Sequence, residues 1–228
     1  ETMKLGMNFS YLDNYWNGTK EKQFSDFLKP EEALKRESKF ADIAKAGFKT
    51  VRIPICFSAW MEMKQPYNWK DSKGLEIADS WVKAALASNL NVIVDLHHSE
   101  FDGSIPEAIR PERMVKLWFR IAERYKNTDP ERVFFELRNE PHDISAEAWR
   151  REAKEVIKVV REIAPKHTLI VGFHEWNGRK QMIESQPFED SNIIYTFHYY
   201  EPFVFTHQGA SWVGFGVQDL RNIPFPAN

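Results

Sequence analysis

The chain has 228 residues, 43% of them hydrophobic, which is enough for a substantial core in a single domain spanning 1–228. A formal net charge of −2 gives no electrostatic basis for binding nucleic acid or an anionic membrane, and no window approaches the roughly 20 apolar residues that cross a bilayer. The single Cys56 excludes a disulfide within the chain and a cysteine-based zinc site. The opening Glu1-Thr2-Met3-Lys4 lacks a basic stretch followed by an apolar run. Any secretion signal has therefore been removed or was never present; a secreted or periplasmic setting is expected, with the cytoplasm as the alternative.

In chain order, apolar strand-like runs alternate with segments of helical spacing. A first strand is predicted at 5–10, followed by a helix over 31–46 that opens beside Pro30 and closes at Gly47. Strand 50–55 leads to helix 75–88, with Ile77, Trp81, Ala84, Ala85 and Ser88 on one face. Strand 91–97 precedes helix 112–126, which carries Met114, Leu117, Trp118, Ile121 and Tyr125 at the same period. Strand 133–139 is followed by helix 146–164, with Ser145 as its N-cap and Pro165 as its stop. Strand 168–173, a short helix at 179–185 and strand 192–199 complete the pattern. The tail from Phe203 onward is rich in Gly and Pro and shows no clear helix.

Repeated βα units with nearly continuous apolar strands predict a parallel sheet covered on both faces, either doubly wound or a (β/α)8 barrel. No Gly-rich phosphate loop follows the first strand, where Met7-Asn8-Phe9-Ser10 runs into Tyr11-Leu12-Asp13. Polar residues gather instead at the C-terminal ends of nearly all the strands, where barrel enzymes build their sites, so the α/β barrel is the expected fold.

The most chemically informative stretch is Phe134-Phe135-Glu136-Leu137-Arg138-Asn139-Glu140-Pro141-His142. An apolar strand ends in Asn-Glu-Pro, which would project Glu140 into the barrel mouth. A carboxylic acid there suits protonation of a glycosidic oxygen, provided burial or a second carboxylate raises its pKa. The plain alternative is a glutamate that caps a helix or pairs with an arginine. Arg52 is the one charge in its apolar strand and needs a carboxylate partner, either as a structural ion pair or to hold a catalytic carboxylate ionised. Asp95, His97 and His98 end the third strand, and His198 and Tyr200 share a face at the end of the sixth. The Asp-x-His-His spacing, with His198, admits a metal site, but without further clustered ligands no metal is expected.

The ordered set Val-Arg-Ile-Pro, Asp-Leu-His, Asn-Glu-Pro and His-Tyr-Tyr resembles glycoside hydrolase family 5, a group containing many endoglucanases, and the resemblance covers essentially the whole chain. It implies a (β/α)8 barrel, retaining hydrolysis of a β-glycosidic bond in a β-glucan oligo- or polysaccharide, and no cofactor. By that resemblance Glu140 is the acid/base, Asn139 contacts the sugar 2-hydroxyl, and Arg52 lies under the nucleophile. His97, His198 and Tyr200 fill the remaining polar positions, and His98 has a supporting role. Trp176-Asn177 falls where such enzymes place a sugar-stacking aromatic, although a tryptophan there also suits a plug at the barrel rim. Trp212 is a further substrate-binding candidate, and Trp60, Phe203 and His207 are weaker ones.

In that family the nucleophile is a glutamate ending the seventh strand, with a tryptophan at the eighth. Only six strands are legible here, so an incomplete barrel is expected: part of a longer polypeptide, a truncated chain, or a partial barrel whose open edges are covered by another copy. The last two imply self-association through those edges. Glu175 and, less favourably, Glu201 are the candidate surrogate nucleophiles. Arg138 sits where the family is usually apolar and is expected to face away from Asn139, toward a partner in the wall or on a helix. A glycan-binding partial barrel without catalysis is the rival reading.

Overall fold

The computed structural model describes residues 3–13, 30–70, 73–97, 108–214 and 216–226. Six strands form one sheet in sequential order, with every pair parallel: β1 (Gly6–Asn8), β2 (Thr50–Ile55), β3 (Asn91–Leu96), β4 (Val133–Glu136), β5 (Leu169–Val171) and β6 (Ile193–Tyr195). Sequential parallel order is the arrangement of barrel units, and β1 and β6 stand at the two edges. The register puts Val51, Val92, Val133, Phe135, Leu169 and Val171 on a fully buried apolar face. The opposite face carries Asn8, Arg52, Asp95 and Glu136.

The helices follow the apolar spacing, with shifted ends. They are α1 (Pro30–Lys35), α2 (Ser38–Lys45), α3 (Lys73–Ala87), α4 (Arg110–Tyr125), α5 (Ala146–Ile163), α6 (Arg179–Glu184) and α7 (Phe203–Thr206). The single helix expected over 31–46 is broken, because the Ser38 hydroxyl donates to the carbonyl of Lys35 and competes with the helical ladder. Gly47 ends α2 at φ 97°, a conformation that costs glycine little. Ser145 caps α5 as expected, its hydroxyl accepting from the Ala148 amide at 3.2 Å. The described part of the tail contains α7 and a 3-10 turn at Val217–Asp219, which its composition did not announce, and Gln208 closes the segment by exchanging two hydrogen bonds with the Ile223 backbone. Among the described residues no helix is long and apolar enough to cross a membrane.

Trp81 of α3 anchors the first half of the sheet. Its indole donates to the Ala33 carbonyl at 3.0 Å, and its ring meets Phe9 edge-on at 4.9 Å and Phe40 at 6.4 Å. Phe40 is itself fully buried. Phe40→Ala is expected to lower the unfolding free energy by about 3–5 kcal/mol, the usual range for opening such a cavity. Urea unfolding of the two proteins measures it, and a loss under about 1 kcal/mol would show that the site collapses freely.

Candidate active site

Arg52 is the hub. Its Nε and Nη2 grip Glu136 at 2.7 and 2.8 Å, and Nη2 also lies 2.8 Å from Asp95 Oδ2 and from Asn139 Oδ1. Nη1 reaches Asn8 Oδ1 at 3.2 Å. The carboxylate partner expected from the sequence is thus a pair, Glu136 and Asp95, both buried. Burial works against the guanidinium charge, but the two carboxylates outweigh it and raise the Arg52 pKa above its ordinary value. Burial in turn pushes Asp95 up to about 6 against the pull of Arg52 and His198. Glu136 is raised as well, by burial and by Asp95, against the pull of Arg52.

The β4 end departs from strict alternation. Regular pairing stops at Glu136, and the chain bends at Leu137, whose amide still donates to the Ile170 carbonyl at 3.0 Å. Alternation alone would put Glu136 and Arg138 on one face. The bend brings Asn139 back to Glu136's side at Arg52 and sends Arg138 outward over the Trp149 ring of α5, 5.9 Å from its centroid. The expected placement of Arg138 away from Asn139 is met. Burial lowers its pKa to about 10 in spite of Glu152 and Asp143.

His97 donates from Nδ1 to Asp95 Oδ2 at 2.6 Å, which fixes its tautomer and leaves Nε2 in acceptor form. Burial, followed by the charge of Arg52, lowers its pKa to about 4, so it is neutral at pH 7. Asp95, considered above as a metal ligand, is instead shared between Arg52 and His97, and the described residues contain no cluster of three potential ligands. His98 lies outside the described residues.

Glu140 Oε1 stands 2.5 Å from His198 Nδ1. Burial pushes the Glu140 carboxyl up, but the hydrogen bond and charge of His198, with help from His97 and Arg52, hold it below its ordinary value. The raised pKa that an acid role requires is not supplied by these described groups, which favour the Glu140 anion. The turn after Glu140 is tied back on itself, with His142 Nδ1 bonded to the Glu140 carbonyl at 2.8 Å. The His142 ring stacks on Trp176 at 5.2 Å and 7°, and the Trp176 amide donates to the Pro141 carbonyl at 3.1 Å. Trp176 is 56% exposed.

Asn177, expected among the substrate contacts, is fully buried. Its side chain packs against Gly172, where a Cβ would come within 2.5 Å of it. Tyr200 meets His198 edge-on at 6.1 Å, His207 lies 5.0 Å from Tyr200, and Phe203 stacks on His207 at 4.1 Å. Trp212 is 81% exposed. Trp60 does not belong to this group, because it is buried against Gly74. Of the two candidate surrogate nucleophiles, Glu175 accepts from Gln181, and Glu201 accepts from the Phe203 amide at 3.2 Å.

A family model, Cellulase (glycosyl hydrolase family 5), matches residues 12–222. The chain belongs to glycosyl hydrolase family 5. Endoglucanase C of Acetivibrio thermocellus is 28% identical over 234 residues, covering 99% of this chain and 65% of that protein. Two solved structures of Thermotoga maritima Cel5A align as well. The complex with mannotriose gives 36% identity and a TM-score of 0.80 over 96% of this chain and 67% of that one. The complex with cellobiose gives 35% and 0.81 over 99% and 70%. The chain thus spans about two thirds of the length of these relatives.

The structure brings Arg52, His97, Asn139, Glu140 and His198 into one cluster by direct or one-residue contact, and Tyr200 joins through its ring. Reading motifs alone missed Glu136, Asn8 and His142 as site builders. Glu136 carried a readable signal, since it is a second charge inside an apolar strand.

The His97 environment has a pH signature. The folded-state pKa lies near 4 and the ordinary value is 6.5, so between them the unfolded chain binds more protons. The contribution of His97 to stability is therefore full above pH 6.5 and lost as pH falls toward 4. Asp95, raised from 3.8 to about 6, acts in the opposite sense over its own window. The unfolding free energy of wild type minus that of His97→Gln is expected to grow as pH rises from 4 to 6.5. Denaturant unfolding across that range tests it, and a flat difference contradicts the assigned neutral state.

Proposed function

We propose that this chain carries the acid/base half of a retaining endo-β-1,4-glucanase site, with Glu140 as the acid/base. The observation that carries this reading is the Glu140–His198 contact beside Asn139 held on Arg52, a carboxyl group with both its position and its protonation controlled. On this reading Asn139 contacts the sugar 2-hydroxyl, which its position immediately before Glu140 supports. Tyr200 and the exposed rings of Trp176 and Trp212 suit the apolar faces of pyranose units. The endoglucanase name of the Acetivibrio relative and the cellobiose complex of the Thermotoga protein support a β-1,4-glucan as substrate. A polymeric glucan does not cross membranes, so a secreted or periplasmic setting follows from this substrate class.

Retention requires a second carboxylate about 5–5.5 Å from the acid/base. Among the described residues, Asp95 and Glu136 are buried on Arg52, and Glu175 and Glu201 are engaged as above. An anion in the nucleophile position would also raise the Glu140 pKa and so supply the protonated acid that glycosidic cleavage needs. The same observations favour a second reading, a glycan-binding barrel segment without turnover.

Reducing-sugar release from soluble cellulose by the 228-residue chain and by Glu140→Gln decides between them. Hydrolysis that falls by about 10²–10⁴-fold in the variant supports the acid/base assignment. Silence in both, with calorimetric binding of cello-oligosaccharide, supports the second reading, and equal hydrolysis in both sinks Glu140.

We infer, too, that the open edges self-associate, because β1 and β6 leave Met7 and Ile194 37% and 38% exposed beside unpaired backbone. Sedimentation is expected to show concentration-dependent dimers, and a monomer at every concentration would refute this.

A further inference from the structure

The turn between β5 and α6 holds three consecutive residues in the left-handed region, Glu175, Trp176 and Asn177, with φ of 53°, 56° and 59°. Such a run is costly for residues with a Cβ, and asparagine tolerates the conformation better than most. Asn177 ends the run, and its bonds leave in three directions. Its Oδ1 accepts from the Phe173 amide at 3.1 Å and its backbone amide donates to the Phe173 carbonyl at 3.1 Å, which closes the turn onto the end of β5. Its Nδ2 reaches the Asn139 carbonyl at 3.5 Å, the peptide unit that leads into Glu140. Its own carbonyl accepts from the His198 amide at 2.8 Å. One turn further out, the Trp176 amide holds the Pro141 carbonyl on the far side of Glu140.

Both arms of the Glu140–His198 contact are therefore fastened to one buried side chain and its turn. β4 and β6 are not neighbours in the sheet, since β5 lies between them. Glu140 and His198 reach each other through their side chains across the end of β5, and there Asn177 bonds to the backbone beside Glu140 and to that of His198. The amide group occupies the space that a Cβ on residue 172 would need, so glycine there is what lets the Asn177 side chain lie in this place.

We propose that Asn177 is a positioning residue: by tying the Asn139 carbonyl and the His198 amide to the end of β5, it sets the geometry of the Glu140–His198 hydrogen bond. This deepens the reading of Glu140 as the acid/base and rests on it for its catalytic meaning. The geometry itself is read without turnover, so failure of the chain to hydrolyse glucan leaves this inference standing or falling separately.

The test is proton NMR of the full 228-residue chain with ¹⁵N-labelled histidine, following the His198 Nδ1 proton. A contact this short gives a strongly downfield signal, and His198→Gln assigns it by deleting it. Asn177→Gly keeps the left-handed turn accessible and the backbone carbonyl in place while removing both side-chain bonds. The expected result is loss or a large upfield shift of the His198 signal, with the signals of His167, which stacks on Phe135 at 4.6 Å elsewhere in the barrel, unchanged. A folded Asn177→Gly with the His198 signal in place overturns the proposal and leaves Asn177 a turn-former only. Should that variant not fold, Gly172→Ala presses on an intact Asn177, and an unshifted His198 signal there overturns the proposal equally.

Discussion

A guanidinium placed inside a barrel must be neutralised and fully hydrogen-bonded, and the arrangement of this site follows from how Arg52 meets that demand. Two buried carboxylates, Glu136 and Asp95, take its charge, and two amide oxygens, those of Asn8 and Asn139, take further donors. Leaving one member of such a set uncompensated typically costs about 3–5 kcal/mol, so the set behaves as one unit. Its reach extends past the ion pairs. Asp95 also fixes the tautomer of His97, and Asn139 immediately precedes Glu140, so two groups that face the cleft inherit their positions from a charge beneath it.

The irregular strand ends are held from outside the barrel as well as from within. Where β4 bends at Leu137, the freed carbonyl accepts from the Trp118 indole of α4 at 2.9 Å. Where β5 ends at Gly172, the carbonyl accepts from the Trp149 indole of α5 at 3.0 Å. Buried carbonyls without partners would cost free energy, and each of these helices brings a large apolar ring with one donor to the place where the ladder stops. The same Trp149 lies under Arg138, which explains how a charge is accommodated at a position of the wall that would otherwise be apolar.

The fold was legible because its signal is periodic. Apolar runs and helical faces such as Met114, Leu117, Trp118, Ile121 and Tyr125 record burial directly, and all five are buried. Residues whose roles depend on one charge or one motif were also legible: Arg52 had to find carboxylates, and Asn-Glu-Pro marked the end of β4. What the sequence did not reveal depends on departures from periodicity. The bend at Leu137, which decides that Asn139 rather than Arg138 meets Arg52, is a backbone event with no residue signature. The burial of Trp60 on Gly74 and of Asn177 on Gly172 depends on which glycine lies opposite, a contact between distant or folded-back segments that spacing does not encode. Helix 31–46 failed for a local reason, a serine hydroxyl competing for one carbonyl.

The protonation of Glu140 connects the geometry to the chemistry. Each group that the structure brings close to this carboxyl group, His198 first and then His97 and Arg52, lowers its pKa, and only burial raises it. The nearby carboxylates Asp95 and Glu136 are themselves paired with Arg52. A general acid must carry its proton when substrate binds, and these neighbours favour the anion instead. Two changes reverse the balance: an anion across the cleft, which disfavours a second negative charge nearby, or a bound glycan, which displaces water and strengthens the burial penalty. The first of these is the same carboxylate that retention requires as a nucleophile. On the proposed reading, a single group would therefore attack the sugar and keep Glu140 protonated.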